Sequence, residues 1–201
     1  MKKWAVLGVL IVIAVIVAAI IGGVYNHLVT LSQAADSQWA QVQNVYQRRA
    51  DLIPNLVQTV QGNANFEKST LEAVTNARAS VGRVSLDAAH APSDAGKLQE
   101  FQQAQGTLSS ALSRLLVVSE RYPTLTASEG FRQLQSQLEG TENRIAVERG
   151  RFNDVVQRYD TAIHHFPTVL FASTFGFHDK PYFAALPTAQ TAPSVNSYLT
   201  K

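Results

Sequence analysis

The sequence predicts an all-α protein in which one N-terminal transmembrane helix is followed by an up-and-down bundle of three to four long helices. Three observations carry this. Residues 5–24 form an unbroken apolar run, apolar residues recur at steps of three and four through most of the remaining chain, and no stretch alternates as a strand does. With 201 residues the chain has room for one domain plus an anchor.

Residues 1–4 are a short flank, and residues 5–24 contain only apolar side chains and glycine. A helix rising about 1.5 Å per residue needs roughly 20 such residues to cross a hydrocarbon core of about 30 Å. Trp4 and Tyr25 bracket the run, where amphipathic rings favour the lipid interface. A cleaved signal peptide is the competing reading. It fits less well, because the run exceeds an h-region of about 7–15 residues and no A-x-A site follows. Lys2 and Lys3 precede the run, while only His27 and Asp36 follow it closely, so the charge rule keeps the N-terminus cytoplasmic and places the bundle outside. Gly8, Ala14, Ala18 and Gly22 recur at near four-residue spacing, the kind of stripe that lets two spans approach.

Residues 25–183 are predicted to form the bundle. Tyr25, Leu28, Leu31, Ala35, Trp39, Val42, Tyr46, Ile53, Leu56 and Val60 trace one helical stripe, and the rhythm continues through Ala64, Leu71, Val74 and Val81. Pro54 lies inside it, removing a backbone donor and crowding the preceding turn, so it either kinks one long helix or starts a second. The aperiodic stretch 85–95 is the first loop. Leu98, Phe101, Leu108, Leu112 and Leu115 mark the next helix, which should stop at Tyr122 before Pro123. Thr126 and Glu129 have capping-box spacing. From there Phe131, Leu134, Leu138, Ile145, Phe152, Val156, Tyr159, Ile163 and Phe166 outline a long helix ended by Pro167. The stripes predict coiled-coil-like seams.

Phe166, Phe171, Phe175, Phe177, Tyr182 and Phe183 then crowd a segment punctuated by Pro167, Gly176 and Pro181. So aromatic a segment is expected to pack back over the bundle or to meet the membrane interface. Helix parity separates two arrangements. If Pro54 breaks the first helix, four helices return this segment to the membrane-proximal end; if Pro54 only kinks it, three leave the segment distal. Residues 184–201, rich in Pro, Thr, Ala and Ser, predict a disordered tail.

Composition narrows the function. A formal net charge of +2, with arginines dispersed among carboxylates, argues against a nucleic-acid partner. The absence of cysteine removes disulfides, thiolate metal sites and thiol catalysis. His164 and His165 are neighbours, projecting about 100° apart on a helix, too divergent to chelate one ion. No H-E-x-x-H, G-x-S-x-G or glycine-rich phosphate loop occurs, and the Glu-x-x-His motifs of di-metal bundles are missing. Glu139, Glu142 and Asp154 lie among Arg144, Arg149 and Arg151, which favours ion pairs over acid-base work. The expectation is therefore no catalytic residue, no cofactor and no metal.

The run Arg48-Arg49-Ala50-Asp51-Leu52-Ile53-Pro54-Asn55-Leu56-Val57 resembles the signature of the LemA family. So do Tyr122-Pro123, the run Leu138-Glu139-Gly140-Thr141-Glu142-Asn143-Arg144-Ile145, the run Arg151-Phe152-Asn153-Asp154, and the later Phe166-Pro167 and Phe175-Gly176-Phe177. Phe152 stands where a tyrosine is expected. The resemblance implies a helical bundle behind one transmembrane helix in a bacterial inner-membrane protein of a family without established enzymatic activity. It also implies two settings known for relatives: association with membrane-bound metalloproteases, and formation of intracellular membrane invaginations in magnetic bacteria.

Arg48, Arg49, Asp51, Pro54 and Asn55, with Glu139, Glu142, Asn143 and Arg144, are the candidate interaction or structural motif. As an interaction surface, the guanidinium groups would fork onto a partner's carboxylates. As a structural element, the same residues would form an internal network with Glu139, Glu142 or Glu67, capping what Pro54 frees and fixing helix register. Function is expected to be that of a membrane-anchored scaffold, held in lipid through residues 5–24, a homo-oligomer that organises membrane or partner proteins. The alternative is an accessory subunit of a membrane protease docked through residues 48–55.

Overall fold

The computed structural model describes residues 2–62, 66–84, 86–87 and 89–184. The predicted tail, beyond Ala184, lies outside the described residues. Among these residues there are helices and no strand.

Helix α1 runs from Lys2 to Gln61 without interruption, carrying the apolar run straight into the bundle. Pro54 sits inside it on the exposed face and does not break it. The proline has no N–H for the carbonyl of Ala50, one turn back, and Arg78 Nε donates to that oxygen at 3.1 Å instead. The break comes later, where Gly62 N closes the last turn on Gln58 O. This corrects the expectation that the stripe continues through Ala64, a residue outside the described set. Leu71 and Val74 belong to a separate helix, α2 (Lys68–Arg83).

Helix α3 (Ala95–Ser119) starts at Asp94, whose carboxylate accepts from Gly96 N and Lys97 N at 2.8 and 3.1 Å. Short α4 (Pro123–Thr126) has Pro123 in its first turn, where the missing donor costs nothing. Helix α5 spans Glu129–His164. Its N-cap is Ser128, which accepts from Phe131 N at 3.4 Å, so the capping box expected at Thr126 is not formed; the Thr126 hydroxyl turns back onto the carbonyls of Tyr122 and Pro123. Phe166, expected on the buried stripe, lies beyond the helix and is 81% exposed.

The near end of the bundle is the one beside residues 5–24. Helix α5 runs antiparallel to α1: Leu28 packs with Ile163, the rings of Trp39 and Phe152 lie 5.6 Å apart, and Arg49 meets Glu142 at 2.6 Å. Helix α3 runs parallel to α1, with the rings of Tyr46 and Phe101 at 5.0 Å and Arg49 on Ser109. Helix α2 opposes α3, since Glu67 pairs with Arg121 at 2.6 Å and the rings of Phe66 and Tyr122 lie 5.0 Å apart. The order is up, down, up, down. Four long helices therefore return the aromatic segment to the near end, where Tyr25 touches Phe175 and Phe177 at 5.4 and 5.8 Å. The parity expected from a break at Pro54 is produced instead by the break after Gln61.

Three clusters make the core. At the far end Ile53, Leu56 and Val60 of α1 meet Val74, Leu115 and Phe131. In the middle the rings of Trp39, Phe101, Phe152 and Phe183 pack together. At the near end Leu28, Tyr159, Ile163 and Ala172 close the bundle. A fully buried side chain of this kind contributes about 1.5–3 kcal/mol.

Candidate functional site

The far half is organised around one charge. Arg49 falls on the same stripe as Tyr46 and Ile53, and it is 1% exposed. A buried guanidinium is stable only when neutralised and hydrogen-bonded. Its Nη1 donates to Glu142 Oε1 at 2.6 Å and to Ser109 Oγ at 2.8 Å, its Nη2 donates to Gln105 Oε1, and the group lies 5.2 Å from the Tyr46 ring centre. Nε finds no partner among the described residues. Burial pushes the Tyr46 phenol up, opposed by Arg149 and Arg49, so Tyr46 is neutral beside this cation. One residue thus ties α1 to α3 and α5.

A groove of about 520 Å³ opens between α3 and α5, lined by Ser109, Leu112, Leu116, Leu138, Glu139, Glu142 and Asn143 among others. On the opposite side a second groove of about 360 Å³ runs along Tyr46, Ala50, Arg78, Val84, Phe101 and Gln105. Both are open clefts, and Glu142 is the member of the ion pair that reaches solvent, its side chain 43% exposed.

A LemA family profile matches residues 38–196. The chain belongs to the LemA family. The chain is 26% identical over 186 residues to magnetosome protein MamQ of Magnetospirillum gryphiswaldense, with 83% of this chain and 67% of that protein covered. It is 27% identical over 202 residues to magnetosome proteins MamQ 1 and MamQ 2 of Paramagnetospirillum magneticum, with 92% of this chain and 73% of each covered.

Within this LemA chain the nine motif residues separate. Arg49 and Glu142 come together. Arg48, Asp51, Pro54 and Asn55 face outward on α1: Asp51 accepts from Gln47 at 2.8 Å, Asn55 O accepts from the Thr59 hydroxyl at 2.8 Å, and Arg48 has no ion-pair partner among the described residues. Glu139, exposed, accepts from Gln135 at 3.1 Å and lines the α3–α5 groove with Asn143. Arg144 is exposed, again without an ion-pair partner among the described residues. Glu67, the other carboxylate considered for Arg49, is held below its usual range by Arg121. Among the described residues no group of three or more His, Asp or Glu is placed to hold a metal.

Sequence reasoning missed the partners that complete the network. Gln105 occupies a core slot of the α3 stripe between Phe101 and Leu108, and a polar residue there was the available signal. A second ion pair was also missed: buried Asp36 accepts from Ala91 N at 2.8 Å and lies 3.6 Å from the Nζ of half-buried Lys180, clamping the chain at Ala91 and the C-terminal segment onto α1. Trp39 Nε1 donates to Asp87 O at 2.9 Å beside it. Nothing in one sequence joins positions so far apart.

Proposed function

We propose that this LemA protein is a non-catalytic membrane-anchored scaffold of the bacterial inner membrane, with residues 5–24 in lipid, Lys2 and Lys3 on the cytoplasmic side and the bundle outside. The observation that carries the reading is the continuity of α1. One helix long and apolar enough to cross a membrane enters the bundle with no joint, so the bundle is held as a rod. The part of α1 beyond the apolar run, residues 25–61, extends roughly 55 Å at about 1.5 Å per residue. Such a rod presents long side faces, and the pairing of buried Arg49 with half-exposed Glu142 sets the register of the helices that make them. The likeness to magnetosome proteins supports the membrane-organising part of this reading.

Self-association is the partnership we favour, with exposed Arg48 and Arg144, which have no ion-pair partner among the described residues, as the charged groups that would fork onto carboxylates of a second copy. Purification of the full-length protein in mild detergent, with native mass determination, tests this. A defined homo-oligomer with nothing attached is expected, shifting toward smaller species in an Arg48→Ala, Arg144→Ala variant of unchanged thermal stability. A monomer that carries a stoichiometric membrane enzyme would overturn self-assembly in favour of an accessory role.

A further inference from the structure

We propose that the aromatic hairpin of residues 166–177 is a second membrane contact, an interfacial foot that rests on the bilayer beside the span and fixes the tilt of the rod. The inference rests on the reading that residues 5–24 lie in lipid, and it adds a lipid-binding site elsewhere in the chain.

The register of α1 against α5 sets the height of this segment. Residues 49, 39 and 28 of α1 stand opposite residues 142, 152 and 163 of α5. Continuing that antiparallel register places Phe166 level with Tyr25, the first residue past the apolar run. The chain goes on beyond this point through the 3-10 turn Thr168–Leu170 before it reverses. Gly176, at φ +80°, makes the reversal that an L side chain resists, and Phe177 N closes it on Ala172 O at 2.9 Å. Ile21 and Val24, in the last turn of the apolar run, are half-buried, whereas residues 3–20 are exposed throughout. The hairpin thus lies at the height where the span leaves the hydrocarbon, within the interfacial layer of about 5–8 Å on each face implied by a bilayer of about 40–45 Å around a core of about 30 Å.

Its two faces differ. Ala172 and Phe177 pack inward on Leu28, Tyr159 and Ile163. Phe166, Val169 and Leu170 are 81%, 46% and 60% exposed, and Phe175 and Tyr25 are 38% and 42% exposed. No residue from 166 to 177 is ionisable, while His164, His165, His178, Asp179 and Lys180 flank it on both sides. An uncharged, aromatic-rich tip with a polar collar has the composition that partitions into the headgroup and acyl boundary. A patch of this kind in water is unfavourable, and the neighbouring surface with which it is continuous is the span itself.

The cysteine-free chain allows a direct test. Full-length protein carrying a single spin label through Leu170→Cys is placed in phosphatidylcholine nanodiscs, and collision with oxygen is compared with collision with a water-soluble nickel chelate. Ile13→Cys in the span and Val117→Cys at the far end serve as references. Leu170 is expected to favour oxygen over nickel, at a depth between the two references and on the order of 5 Å below the phosphate plane. Nickel access equal to that at Val117 would overturn the foot while leaving the span intact. So would shielding from both reagents with spin–spin broadening, which would make the patch a contact between copies. An aqueous label at Ile13 would overturn the anchor itself, and the foot with it.

Discussion

The far and near halves of the bundle bury α1 in different ways. Through residues 46–60 it is enclosed by α2, α3 and α5, with apolar packing around one buried cation. Through residues 25–38, α2 and α3 are absent, and α5 with the C-terminal segment takes their place. Residues 178–184 of that segment are not helical, so their backbone groups need partners, and α5 side chains supply them. Asn153 both donates to Phe183 O and accepts from Phe183 N, at 3.0 and 2.9 Å. Tyr159 donates to His178 O at 3.0 Å, Asp160 accepts from Lys180 N at 3.1 Å, and Arg149 donates to Ala184 O at 2.8 Å. Helices can replace helices by stripe matching alone, whereas an irregular strap must be bonded group by group. The far half should therefore fail as a unit and the near half locally.

The largest effect is expected at the cation. Arg49→Ala removes the group that unites three helices and leaves Gln105 and Ser109 without their partner while half-exposed Glu142 turns to water, at a cost of about 2–3 kcal/mol in denaturant unfolding of the full-length protein. Arg49→Met, which keeps volume without charge, should lose less than half as much. Equal losses would mean that the charge and its hydrogen bonds, and not the volume of the side chain, carry the effect. Next comes Asn153→Ala, expected to cost about 1–2 kcal/mol and to show as faster hydrogen exchange over residues 178–184, with the far half unchanged. Global loosening would erase the contrast between the halves.

A smaller effect concerns Pro54. Arg78→Ala should cost about 1 kcal/mol, because Ala50 O then has no donor, and should cost nothing in the Pro54→Ala background, where a backbone N–H is restored. Equal costs in both backgrounds would break the link between the proline and the arginine.

The smallest effect is a pH response of loop 84–94. The hydrogen bond that His90 donates to Asp87 raises the His90 pKa, and the same bond, with the one donated by Ala89 N, lowers the pKa of Asp87. A raised histidine contributes stability that is full below its ordinary pKa and is lost as pH rises through the raised value; a lowered carboxylate contributes above its ordinary pKa and loses that as pH falls. The loop should hold best between those limits. In a Trp4→Phe variant, Trp39 fluorescence should shift slightly between about pH 6 and pH 9, and His90→Gln should abolish the shift.

Much of this was legible because periodicity reports burial. Leu28, Ala35, Trp39, Val42, Tyr46, Ile53, Leu56 and Val60 lie on the predicted stripe, and all are buried. The turn after Gln61 was hidden, because Leu71 and Val74 keep nearly the same spacing from Val60 that one helix would give; Gly62 and Asn63 were the turn signal against it. Arg49 and Glu142 were both in the candidate motif, but the further partners Gln105 and Ser109 and the Asp36–Lys180 pair join distant segments that one sequence cannot connect. The strap bonds made by Asn153 were equally invisible, since an amide on a helix carries no mark of what it will hold.

The claim beneath all of this is that the span and the bundle form one rigid helix. Spin labels introduced through Ile13→Cys and Asn44→Cys in the full-length protein, diluted with unlabelled chains in nanodiscs, would report it by dipolar distance measurement. A single narrow distribution near 46 Å, about 1.5 Å for each intervening residue, is expected. A broad distribution weighted to shorter distances would place a hinge at Gly22-Gly23 and contradict the rod.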